Sequence, residues 1–86
     1  MKELKLIILT TGQLILTQIE EVATELGDPD CKLIEPFTLN ESTLELSPWL
    51  VNLTAQNTFM IHSDKILTIT DPNSKLTNKY EDLVKG

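Results

Sequence analysis

Arginine is missing from this chain: all seven basic residues are lysine, against thirteen Asp and Glu, for a net charge of −6. Arginine is the usual residue for bidentate contacts to phosphate and to base edges. Phosphate binding also needs a local excess of positive charge. The balance therefore speaks against a general nucleic-acid binder and leaves room only for a local patch. A single cysteine, Cys31, excludes an internal disulfide. With only one histidine beside it, a structural zinc site within one chain is not expected, and neither is any cofactor. No run of about 18 apolar residues is present, and no charged-then-apolar leader opens the sequence. The expectation is a cytoplasmic protein with no membrane partner. The Asn40-Glu41-Ser42 and Asn52-Leu53-Thr54 triplets then read as chance matches to a glycosylation pattern.

What is present is ordinary for a small globular chain. Its 86 residues, 41% hydrophobic and 23% charged, make one domain over 1–86. A chain of this size buries roughly 60–65% of its unfolded surface, so oligomerisation is a natural source of additional core.

Residues 4–22 organise the rest. Leu4, Leu6 and Ile8 share one face of a first strand, and Lys5, Ile7 and Leu9 share the other. Thr10-Thr11-Gly12-Gln13 makes a turn, with Gly12 supplying a positive φ. Leu14 and Leu16 then oppose Ile15, Thr17 and Ile19. This period of two with apolar residues on both faces predicts a hairpin that needs cover on both sides, hence a barrel, a sandwich or a partner subunit. The second strand is long enough to bend strongly.

Residues 23–31 read as a loop around Gly27-Asp28-Pro29-Asp30. A strand over 32–39 follows, with Leu33, Phe37 and Leu39 on one face, Glu35 the exception, and Pro36 marking a bulge or free edge. After a turn at 40–42, residues 43–47 alternate with Leu44 and Leu46 inward. Pro48-Trp49-Leu50-Val51 breaks the alternation, and 52–57 is a polar connection. Two short strands, 58–62 and 66–70, flank a turn at 63–65. Asp71-Pro72 signals a helix start, and Leu76, Tyr80, Leu83 and Val84 form one apolar helical face over about 72–84.

Candidate chemistry is thin. His62 precedes Ser63 and Asp64, but neighbours on a strand point to opposite faces, and no further group completes a catalytic set, so no enzyme is expected. Cys31 reads as a small side chain at a strand start. Glu20, Glu21, Glu25, Asp28 and Asp30 lack the spacing of a calcium loop and read as a solvated face. The helical face covers the chain's own sheet or a neighbouring subunit's. Trp49, with Leu50 and Val51, belongs to the core or to a subunit contact.

The order of these pieces resembles the Sm-like (LSm) proteins, most closely the short Sm-like proteins of marine cyanophages. Residues 9–19, Leu-Thr-Thr-Gly-Gln-Leu-Ile-Leu-Thr-Gln-Ile, look like the first Sm motif. Residues 59–70, Phe-Met-Ile-His-Ser-Asp-Lys-Ile-Leu-Thr-Ile-Thr, look like the second. The Pro48-Trp49 segment and the tail from Asp71-Pro72 fit the phage-type members. The resemblance implies a mainly β fold: a small, strongly bent five-stranded antiparallel barrel, nearly closed, with a C-terminal helix. It implies a homo-oligomeric ring of about five to seven subunits, with Phe59, Met60, Ile61, Ile66, Leu67 and Ile69 at the subunit interface. It also implies single-stranded RNA as a partner, with His62 and Lys65 as the contact residues, in the cytoplasm of a host cell if the chain is phage-encoded. Two departures lead to an alternative. The loop at 24–30 carries three acids where family members that bind RNA carry an Asp…Met-Asn segment, and the turn at 62–65 has neither Arg nor Gly. The family also usually places its helix before the first strand. The alternative is a structural or protein-binding ring without RNA.

Overall fold

The computed structural model describes residues 2–85. The elements run β1 (Glu3–Leu9), β2 (Leu14–Glu21), β3 (Cys31–Leu39), β4 (Leu46–Pro48), β5 (Thr58–Ile61), a single 3-10 turn (Ser63–Lys65), β6 (Ile66–Thr70) and α1 (Ser74–Lys85). All strand pairs are antiparallel. The path is β4-β3-β2-β1-β6, with β5 also paired to β3.

The first hairpin forms as its alternation requires. Gly12 sits at φ +89°, where an added Cβ meets nothing but would sit on a backbone that L residues rarely adopt. Its N–H donates to the Leu9 carbonyl, and the Leu9 N–H donates to the Gln13 carbonyl. Apolar residues on both faces find cover on both. Ile7, Leu9, Ile15 and Leu33 form an inner cluster with Ile19, Trp49, Ile61 and Ile66 around them. Leu16, Phe37, Leu76 and Tyr80 form an outer cluster with Leu4, Leu6, Leu39, Leu46 and Val84. The helix therefore covers its own sheet.

Strand β3 corrects one expectation. Leu33 belongs to the inner cluster, whereas Phe37 and Leu39 belong to the outer one. The cause is a bulge: Glu35 takes φ +49°, and the β2–β3 register shifts between Leu16 and Gln18. One extra residue in a strand turns every later side chain to the opposite face. The bulge also divides the far edge of β3. Residues Phe37–Leu39 pair with β4, and Cys31–Ile34 pair with β5. Thus β4 and β5 lie end to end along one edge, separated by an excursion at 49–57. The Trp49 N–H donates to the Pro36 carbonyl and the Glu35 N–H to the Asn57 carbonyl across the break.

The sheet therefore has six strands rather than five. It does not close into a barrel, because β5 pairs β3 and β6 pairs β1 at opposite ends of the path. The strand expected over 43–47 starts later, at Leu46, because Leu44 turns at φ +61°. Asn40 holds that turn by accepting the N–H groups of Ser42 and Thr43 on its Oδ1. The helix also starts later than Asp71-Pro72 suggests. Asn73 is the cap, its Oδ1 accepting the Leu76 N–H at 2.9 Å. Asp71 instead accepts from the Lys5 ammonium at 2.5 Å, a contact that raises the lysine's pKa.

The helix is fastened by a buried polar contact. Gln18 Nε2 donates to the Tyr80 hydroxyl at 3.1 Å, and that hydroxyl donates to the Glu35 carbonyl at 2.9 Å, with the Ile34 carbonyl at 3.2 Å. The Tyr80 ring meets Phe37 edge-on, 5.5 Å between centroids. Burial pushes the tyrosine's pKa up. Among the described residues, no buried side-chain nitrogen or oxygen lacks a partner.

Candidate functional site

The turn between β5 and β6 carries His62 and Lys65. It is tight: the Lys65 N–H donates to the His62 carbonyl at 3.1 Å, and the Thr10 N–H donates to the Lys65 carbonyl at 2.9 Å. The turn is thereby tied to the first hairpin. From the other side Asp30 grips Ser63, taking its N–H on Oδ1 at 2.7 Å and its hydroxyl on Oδ2 at 2.8 Å. The Ser63 hydroxyl, then its N–H, holds the Asp30 carboxyl below its ordinary pKa. His62 is half-buried and Lys65 exposed. The structure so brings the two expected contact residues onto one short turn, but with Asp30 and Asp64 beside them. The Asp30 link has no local sequence signal, because the two residues stand 33 positions apart.

The six expected interface residues divide in two. Phe59 packs on Trp49, and Ile61 and Ile66 pack against the inner cluster. Met60, Leu67 and Ile69 are 45%, 68% and 53% exposed. Each of β5 and β6 has one neighbour, and no described strand pairs with the opposite edge of either.

Other candidates resolve as packing. Cys31 is buried, and burial, then Asp30 and Glu21, raises its thiol pKa, which disfavours the reactive thiolate. Among the described residues no group of three or more His, Cys, Asp or Glu is placed to hold a metal ion. No described helix is long and apolar enough to cross a membrane.

Comparison with known families gives one match. Residues 2–85 match a family of unknown function, DUF6561. The chain belongs to DUF6561. The match takes in every described strand, the turn at Ser63–Lys65 and all of α1. No curated protein matches the chain.

One surface of this DUF6561 domain went unnoticed in the sequence. The excursion at 49–57 and the end of α1 enclose a cleft of about 340 Å³. Trp49 and Phe59 meet there edge-on, with centroids 5.4 Å apart and planes at 73°. The Pro48-Trp49 break in alternation marks one wall. Nothing in the sequence pattern sets it opposite Leu83.

Proposed function

We propose that this DUF6561 chain is a non-enzymatic, Sm-like module that assembles into a homo-oligomeric ring of about five to seven copies. The observation that carries this reading is the unmatched edge of β6 at one end of the sheet path and that of β5, which lies end to end with β4 on β3, at the other. An unpaired edge exposes N–H and C=O groups that favour pairing with another chain. Because the two edges belong to different strands, pairing β5 of one copy with β6 of the next is heterologous, and such contacts form a ring when the rotation from copy to copy closes. The exposed Met60, Leu67 and Ile69 would lose water in that contact, supplying core to a small chain. The end-to-end arrangement of β4 and β5 also supports the reading, since together they fill one strand position of a five-position bent sheet.

In this reading the ring works in the cytoplasm, that of a host cell if the chain is phage-encoded, and takes single-stranded RNA at the repeated His62–Lys65 turns. Unpaired bases would be met once per subunit by an imidazole and an ammonium. The second reading, a ring that binds protein and no RNA, draws on a specific observation: Asp30, held below its ordinary pKa, sits against the same turn. Native mass spectrometry with and without a short uridine-rich RNA separates the two. A closed ring that takes up RNA, and loses it in the His62→Ala, Lys65→Ala double variant, supports the RNA reading. A closed ring that ignores RNA at low salt supports the protein reading. A monomer at micromolar concentration overturns both.

A further inference from the structure

We propose that Asp30 is a positioning residue for assembly: by gripping Ser63 it fixes the angle between the β5 and β6 edges, and so the number of copies in the ring. The inference rests on the ring reading above and names the side chain that regulates it. In a heterologous ring each copy is turned from the last by the same rotation. That rotation follows from how the two contacting edges are set within one copy. The differences involved are small. Rings of five, six and seven differ by about 10° of rotation per copy, whereas the twist between neighbouring strands ranges from about −10° to −35°. Strand pairing alone therefore does not choose a copy number, and the two edges must be held by something else.

The topology shows what holds them. β5 joins the sheet through β3 and β6 joins it through β1, with β2 between. In the chain the two edge strands are joined by the single turn Ser63–Lys65. Each end of that turn is pinned beside the strand with which its own edge pairs. Asp30, one residue before β3, takes the Ser63 N–H on Oδ1 at 2.7 Å and the Ser63 hydroxyl on Oδ2 at 2.8 Å. Thr10, one residue after β1, donates its N–H to the Lys65 carbonyl at 2.9 Å. The β3–β5 pair is thus held as far as Ser63 and the β1–β6 pair as far back as Lys65, and Asp64 alone stands between. The Thr10 pin is main chain to main chain, open to any residue with an N–H. The Asp30 pin is made by a side chain, so position 30 is where the sequence sets the angle. Alanine cannot make that grip. Asparagine can, its amide oxygen accepting the N–H and its NH2 donating to the hydroxyl oxygen.

Native mass spectrometry of the full chain counts the copies directly. The parent is expected at a single copy number. In Asp30→Ala, with the circular dichroism of the parent, the share of that species relative to other sizes and open oligomers is expected to fall about two- to fivefold, the range for an exposed charged contact. Asp30→Asn is expected to match the parent, which a role of the charge alone would not allow. Ser63→Ala keeps the N–H contact and loses the hydroxyl, so its distribution is expected to fall between those of the parent and Asp30→Ala. It also reads the same contact should Asp30→Ala fail to fold. Asp64→Asn, on the same turn but outside the grip, is expected to leave the distribution unchanged. A ring whose single copy number survives in both Asp30→Ala and Ser63→Ala overturns this inference alone. So does a parent already spread over several copy numbers, or an Asp30→Asn variant that spreads as Asp30→Ala does. A monomeric parent overturns the ring reading and this inference with it.

Discussion

The face of the sheet under α1 and the seam between β5 and β6 are built from the same kind of apolar strand, yet they end differently. Under the helix Leu76 and Tyr80 pack on apolar residues of the same chain, and the buried polar contact Gln18–Tyr80–Glu35 has all its partners. At the seam, Leu67 and Ile69 stand in water on a strand with a single neighbour. The chain covers one side of its sheet with its own 12-residue helix. On the other side no described strand pairs along the open edge, and apolar side chains are left exposed.

Substitutions can sharpen this contrast. On the covered face, Tyr80→Ala should cost about 3–5 kcal/mol, the usual range for emptying a buried aromatic site, measured by urea denaturation. Tyr80→Phe keeps the ring and removes the hydroxyl, which leaves Gln18 and the Glu35 carbonyl short of a partner. About 1–2 kcal/mol is expected from the same measurement. Gly12→Ala strains the hairpin turn without a clash and should cost about 1 kcal/mol. At the seam, Leu67→Lys with Ile69→Lys should shift stability by no more than about 0.5 kcal/mol per site while abolishing assembly by native mass spectrometry. A double variant that unfolds, or that assembles as before, would break the contrast.

The turn between these regions responds to acid. Asp30 has a folded pKa below its ordinary 3.8. Its contribution is therefore complete above that value and fades as pH falls through the lower, folded one. Unfolding midpoints at neutral pH and near pH 3 should converge in Asp30→Asn relative to the parent, since an asparagine amide in place of the carboxyl does not titrate over that window.

Much of this fold is legible in the residues. The β1–β2 hairpin, the two short strands around 63–65 and the helical face of Leu76 and Tyr80 all follow from local periodicity. What periodicity hides are places where the backbone breaks its own rule. Leu33, Phe37 and Leu39 alternate correctly on paper, but the left-handed Glu35 puts the first on a different face from the other two. The same bulge splits one return strand into β4 and β5. Asp71 followed by proline looks like a helix cap, yet Asn73 takes that role while Lys5, 66 positions away, claims the aspartate. His62 and Lys65 were legible as neighbours on a turn. The Asp30 grip and the Trp49 cleft were not, because each is made by residues far apart in the chain.

The end-to-end placement of β4 and β5 gives the domain a replaceable part. Residues 49–57 leave and rejoin the same edge of β3, so their number can change without any strand acquiring a new neighbour. Lengthening such a segment is cheap, about 0.6 kcal/mol for each doubling. The wall beside Trp49 can therefore change in length and composition while every strand keeps its neighbours.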